Sequence, residues 1–228
     1  MNIQKIDLEH SFYPELWREL STQPQEFTMV GSPVWQTHRL ISIVGSRHPM
    51  DDSIVWMERH LPELLRIDDI AVVSGGARGI DQLAHRIALE CDRPTVCILP
   101  TGIKSPYPFG IEPLLKNIVS KGGAVLSTYA DHQVLRKSHF AIRNRWIAGI
   151  SKVCLVVEAN HHSGSMLTAQ LAQNEQRVVA TLPVSPLSAQ GLGNLQLIHD
   201  GAQLIRHSAD LVGLFNLIYA GGPKVKIN

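Results

Sequence analysis

The run from Ala71 to Leu89 admits one local structure: strand, glycine turn, helix. Ile70 to Val73 is short, apolar and rich in β-branched residues, as a strand buried on both faces requires. Ser74-Gly75-Gly76 lets the backbone turn sharply and keeps side chains out of a ligand's way. From Gly79 onward, Ile80, Leu83, Ala84, Ile87 and Ala88 recur at helical spacing. The helix therefore begins opposite the end of the strand. Its free N–H groups and positive end suit an anion there, usually a phosphate. Arg78 adds a full charge beside that place. The spacing G-G-x-x-G differs from the dinucleotide pattern G-x-G-x-x-G, so neither nicotinamide nor flavin is implied. A tight turn that binds nothing is the plainer alternative.

The rest of the composition narrows the function. A chain of 228 residues, 44% apolar, can bury the core of one large α/β domain, with or without a small extension. The net charge of +1 announces no global basic field, so any nucleic-acid binding must come from local Arg and Lys. Three cysteines occur, and Cys97 and Cys154 sit inside apolar strand-like runs, which points to a reducing cytoplasm. Met1 to His10 mixes Lys, Asp, Glu and His, so no signal peptide is expected there. The apolar runs are too short to span a bilayer, and no membrane is expected as a partner. The eleven His include no H-E-x-x-H, and no C-x-x-C occurs. His161-His162 alone falls short of three or four converging ligands, so no metal and no other cofactor is expected.

Residues 1–36 read as a short irregular or helical N-terminal extension packed on the main domain, with a helix near Tyr13 to Leu20. The main domain is expected over 37–220, followed by a tail at 221–228. Strands are predicted at His38–Val44, Ile70–Val73, Thr95–Leu99, Ala124–Ser127, Val153–Glu158, Arg177–Leu182 and Ala202–Ile205. Helices are predicted at Asp51–Leu65, from Gly79, and at Ile111–Lys121, Arg143–Ile150, Met166–Gln176 and Leu211–Tyr219. Pro113 fits only the first turn of its helix. Asp131 to Phe140 is polar and basic and reads as a connection. The alternation predicts an α/β, Rossmann-like, mostly parallel sheet with helices on both faces. Ligands of such sheets bind beyond the carboxyl ends of the strands. Gly45-Ser46-Arg47, Ser74-Gly75-Gly76-Ala77-Arg78 and Ser163-Gly164-Ser165 should all open there, and three such loops with two arginines favour a crevice.

Several motifs recur in order: Val44-Gly45-Ser46-Arg47; Ser74-Gly75-Gly76-Ala77-Arg78-Gly79-Ile80-Asp81 with Ala84-His85; Arg143-Asn144-Arg145 with Ala148-Gly149; Val157-Glu158-Ala159; and Ser163-Gly164-Ser165 with Thr168-Ala169. Together, from about Tyr13-Pro14 to Gly201-Ala202, they resemble the DprA (Smf) family of bacterial DNA-processing proteins. The resemblance implies an extended Rossmann fold that binds single-stranded DNA and hands it to the RecA recombinase in transformation or recombination. It also implies a homodimer through the end of the Rossmann domain. The sequence departs from the family at Gly76, where Leu is common, and at Phe140-Ala141-Ile142, where Phe-Pro is usual. Leu187 to Asn194 lacks a usual Cys. The length leaves no room for the winged helix or the separate N-terminal helical domain of many members, so a Rossmann-only member is expected.

A single strand needs its phosphates held at intervals, with bases free or stacked. Arg47, Arg78 and the loop amides around Gly75 and Gly164 are the predicted phosphate contacts, with Gly45, Ser46, Ser74, Gly76, Gly79, Ser163, Ser165 and Thr168 around them. Arg143 is predicted to start a helix and point into the crevice. Arg145 lies about 200° further round, so one of the two is a surface or ion-pair residue. Asn144 binds DNA or loop backbone. Lys104, Arg136 and Lys137 flank the crevice or are ordinary solvated charge. Tyr107 stacks on a base or packs on its own sheet, and Trp146 fits helix core. Asp81 and His85, one turn apart, are read as tying the helix start together rather than as catalytic, and no enzyme is expected. The rival reading is a nucleotide-binding or nucleotide phosphoribohydrolase-like protein, or a nucleotide sensor. Those hydrolases carry P-G-G-x-G-T-x-x-E. Here Ser163 to Gln170 lacks the Glu, leaving Glu158 and Asp81 as candidate carboxylates. Finally, Leu211 to Tyr219 is apolar nearly all round, which predicts a dimer interface through Leu211, Leu214, Phe215 and Ile218.

Overall fold

The computed structural model describes residues 2–220. The tail expected at 221–228 lies outside the described residues. In chain order the strands are β1 (Gln4–Asp7), β2 (Glu26–Gly31), β3 (Arg39–Val44), β4 (Ile70–Gly75), β5 (Thr95–Leu99), β6 (Ala124–Ser127), β7 (Val153–Val156), β8 (Val178–Thr181) and β9 (Gln203–Leu204). The α-helices are α1 (Glu15–Arg18), α2 (Asp51–Leu65), α3 (Ile80–Glu90), α4 (Glu112–Ser120), α5 (Lys137–Gly149), α6 (Gly164–Asn174), α7 (Leu192–His199) and α8 (Ser208–Tyr219). All nine strands join one sheet in the order β1-β2-β6-β5-β4-β3-β7-β8-β9. From β6 to β9 every pairing is parallel, while β1 and β2 pair antiparallel.

The sheet divides the core in two because successive side chains leave a strand on opposite faces. On β4, Ala71 and Val73 join one cluster with Trp17, Trp146 and Ile147; Ile70 and Val72 join the other with Met57, Leu61, Ile80 and Ile87. Helices α2, α3, α4 and α8 cover the second face and α1, α5 and α6 the first. This is the doubly wound arrangement predicted from the alternation of elements. The sheet order reverses between β3 and β7, whose chains run on to neighbours in opposite directions. A crevice opens at that switch.

Three expectations need correction. The first 36 residues are not an irregular preface: β1 and β2 extend the main sheet beyond β6. Trp17 is fully buried and its Nε1–H donates to the Trp146 carbonyl at 3.0 Å. The fifth helix starts at Lys137 rather than Arg143. Its first turn hides in polar sequence because His139 is buried against Tyr129, ring on ring at 4.1 Å. Leu211 and Phe215, expected at a dimer interface, are wholly buried. They stand one turn apart on the inner face of α8 and belong to the core. Leu214 and Ile218 are half-buried beside them, and Leu217 is the exposed apolar residue, at 73%.

Candidate nucleic-acid interface

The glycine turn after β4 serves the protein's own packing. A Cβ on Gly75 would lie 1.4 Å from the Arg143 guanidinium, so the turn must be bare for that side chain to reach Asp81. Gly79 has φ +79°, and a Cβ there would meet the Ser46 carbonyl at 2.3 Å. Gly45 and Gly76 face Ile80 and Ile111 at similarly close range. Ser74 is buried and its hydroxyl donates to the Ile43 carbonyl at 2.6 Å. The start of α3, predicted as a phosphate site, already holds a carboxylate of the protein in its first turn. Asp81 accepts the Ala77 N–H at 3.3 Å, and Ile80 N–H donates to Ser46.

Asp81 and Arg143 form a buried ion pair at 3.4 Å, their side chains 7% and 6% exposed. Burial raises the Asp81 carboxyl above its ordinary pKa, while Arg143, the Ala77 amide and Arg47 pull it down. Arg143 is thus the ion-pair residue of the two arginines, and it sits mid-helix rather than at a helix start. Its Nε has no hydrogen-bond partner among the described residues, and the residue lines the crevice. Asp81 and His85 each tie the start of α3 to the turn before it, Asp81 through the Ala77 N–H. His85 binds the Gly75 carbonyl at 2.9 Å and Thr95 at 2.7 Å. Burial pushes its pKa down to about 4. The neutral ring donates from Nε2 to the Gly75 carbonyl, and its Nδ1 shares the Thr95 hydroxyl with the Val72 carbonyl.

The crevice itself is a cavity of about 540 Å³ at the β3–β7 switch. Gly45, Ser46 and Arg47 line it after β3, Ser163, Gly164, Ser165 and Thr168 on α6, and Arg143 and Asn144 on α5. Helix α6 presents its N-terminus to this cavity. Ser163 caps it by accepting the Met166 N–H at 3.3 Å, and the first amides of a helix have no intrahelical acceptor. Asn144 holds this turn by donating to the Gly164 carbonyl at 3.1 Å, and Thr168 does so at 3.0 Å. Arg47 is exposed and lies over the Phe140 ring at 5.5 Å. Neither Arg47 nor Arg78 has an ion pair among the described residues. Beyond Arg47 a second cavity of about 320 Å³ continues the groove, with Arg78, Tyr107, Phe109 and Phe140 in its wall.

Ser74, Gly75, Gly76 and Gly79 line neither cavity. Nor do Lys104, which pairs with Asp131 at 3.6 Å, and Lys137, exposed in the first turn of α5. Trp146 is helix core, 5% exposed. Glu158, the other carboxylate weighed for hydrolysis, is fully buried and accepts the Met50 N–H at 2.9 Å and the Ser53 hydroxyl at 2.7 Å at the start of α2. Phe109, 91% exposed, was missed; an apolar residue in a Pro- and Gly-rich loop carries no periodic signal. No helix among the described residues is long and apolar enough to cross a membrane.

Comparison with known proteins gives one family. A model described as DNA recombination-mediator protein A matches residues 4–216. Protein Smf of Synechocystis sp. is 34% identical over 224 residues, which are 95% of this chain and 55% of that protein. The X-ray structure of DNA processing protein A from Streptococcus pneumoniae superposes with a TM-score of 0.86 at 30% identity, covering 93% of this chain and 74% of that one. That of the Helicobacter pylori protein, described for its single-stranded DNA binding mode, gives 0.82 at 26% identity and covers 93% and 95%. The chain spans 37% to 61% of the length of the curated relatives it matches.

Proposed function

The chain belongs to the DNA recombination-mediator protein A (DprA/Smf) family, and from that premise we propose that it binds single-stranded DNA by its phosphates along the groove at the β3–β7 switch. It helps load a RecA-type recombinase onto that strand in transformation or recombination. The observation that carries this reading is the convergence of unpaired Arg47, the partly satisfied Arg143 and the amino end of α6 on one open cavity. Those groups recognise a phosphodiester and carry no base code, so the reading is backbone binding with little sequence preference. The protein binds rather than turns over its ligand: Glu158 is fully buried with Oε2 held by Met50 and Ser53, and Asp81 is paired with Arg143. We place this action in the cytoplasm, and a homodimer contact on the outer face of α8 through Leu214, Leu217 and Ile218, without Leu211 and Phe215.

Titration of labelled oligo-dT at several salt concentrations tests this. With about three phosphates held per protomer, log affinity should fall with log salt at a slope of roughly −2 per protomer. Single strands should bind more tightly than blunt duplex of the same length. Equal or tighter binding to duplex overturns the reading. Base released from a nucleoside monophosphate in a parallel assay favours the hydrolase instead.

A further inference from the structure

The second cavity has a different chemistry from the first. Its wall combines Arg47, Arg78 and Arg143 with the rings of Tyr107, Phe109 and Phe140. Tyr107 packs edge-on against Phe140 at 5.6 Å, which leaves Tyr107 40% exposed. Phe109 stands beyond it at 91% exposure, with no apolar cluster behind it. A phenylalanine so placed is costly to hydrate and gains by being covered with a flat apolar face. Arg47 and Arg78 in the same wall have no ion pair among the described residues, so the covering molecule should also carry negative charge. About 320 Å³ holds one base with its sugar and leaves no room for a duplex. The two cavities share Arg47, His48, Ala77, Phe140 and Arg143, so a chain seated in the first runs directly into the second.

We propose that the second cavity is a nucleobase pocket, in which Phe109 and Tyr107 on the β5–α4 loop stack on one unpaired base of a strand whose phosphates lie at Arg47 and α6. This rests on the single-strand reading above and adds to it a seat for a base and the residues that form it. A free nucleotide carries the same two groups, and the test separates the two sources.

Oligo-dT of fixed length is titrated by anisotropy against the wild-type protein and Phe109→Ala, Phe109→Leu and Phe109→Tyr. The expected result is a loss of about tenfold for Ala and Leu and near-wild-type binding for Tyr, because a stacked base needs a ring. All three variants should melt with the wild type, since Phe109 makes no core contact. A parallel series moves a single abasic position along the strand. At the seated position the wild type should weaken about tenfold, and Phe109→Ala should then lose nothing further. Wild-type binding by both Ala and Leu, while Arg47→Ala still weakens the complex, overturns the pocket and leaves phosphate binding standing. No oligo-dT binding by the wild type removes the single-strand reading and the pocket with it. Tight binding of free dTMP, lost in Phe109→Ala while oligo-dT binding is unchanged, reassigns the cavity to a mononucleotide.

Discussion

At the scale of the residue, the groove separates arginines that hold the fold from arginines left for a ligand. Arg143 is committed to Asp81 through one nitrogen, whereas Arg47 is exposed over the Phe140 ring and has no ion pair among the described residues. Arg47→Ala should therefore weaken oligo-dT binding and reduce the salt slope by about 0.7, one phosphate's share, with unchanged melting. Arg78→Ala should do the same to a smaller degree, as it faces the second cavity alone. Anisotropy titrations at four salt concentrations check both. His85 gives a pH prediction of definite sign. Its folded pKa of about 4 lies below the ordinary 6.5, so the unfolded chain takes up a proton that the folded one refuses. The stability it contributes is whole above pH 6.5 and is lost as the pH falls from there toward 4. The loss is on the order of 3 kcal/mol. Urea unfolding between pH 7 and 4 should show it, and His85→Gln should flatten that part of the profile.

At the scale of the element, what was legible in sequence was what repeats. Helix α2 falls on its predicted bounds because Ile54, Met57, Leu61 and Leu64 mark its buried stripe. Strands β3 to β8 were legible for the same reason, as short apolar runs between turns. The start of α5 was not, because its buried positions include His139, Arg143 and Asn144, and polar residues at core positions carry no hydrophobic period. The site shows the same division. The loops of the groove were visible as glycine-rich turns, but whether a given glycine faces a ligand or its own chain depends on contacts with residues distant in sequence. Gly75 meets Arg143 and Asp81, so this glycine serves packing, while Ala77 and Arg78 of the same loop face the groove. Strand β2 was hidden behind Pro24 and Gly31, and its pairing with β6 spans nearly 100 positions. Trp17 ties this region to α5. Trp17→Ala should cost about 4 kcal/mol of stability by denaturant unfolding, in the range for a buried Trp, and should weaken DNA binding only where the fold is already lost.

At the scale of the whole molecule, no residue of α8 lines either cavity of the groove, so binding and self-association can be varied apart. Leu217 is the exposed apolar point on α8, flanked by half-buried Leu214 and Ile218. Leu217→Asp should split a dimer without touching the core, whereas a change at Phe215 would unfold it. Light scattering at tens of micromolar should report the mass. Oligo-dT long enough to reach two protomers should then bind more weakly, and a short oligo equally well, because two linked sites hold one strand better than one. A wild-type protein that scatters as a monomer at that concentration removes the dimer.

The margins of the sheet limit how copies of this chain can meet. One border strand, β1, is four residues long and carries the Lys5–Glu26 ion pair and an exposed Asp7. The other, β9, is two residues long. A border that short, or that charged, is a poor template for a foreign strand. The N-terminal 36 residues thus act as a selvedge: they cover the edge of β6, whose Val125 and Leu126 are buried and whose pairing groups face β2. Cut away, they would leave an apolar parallel-sheet edge open to any extended chain nearby. The same segment that looked like a prelude in sequence is what keeps the sheet from continuing into its neighbour.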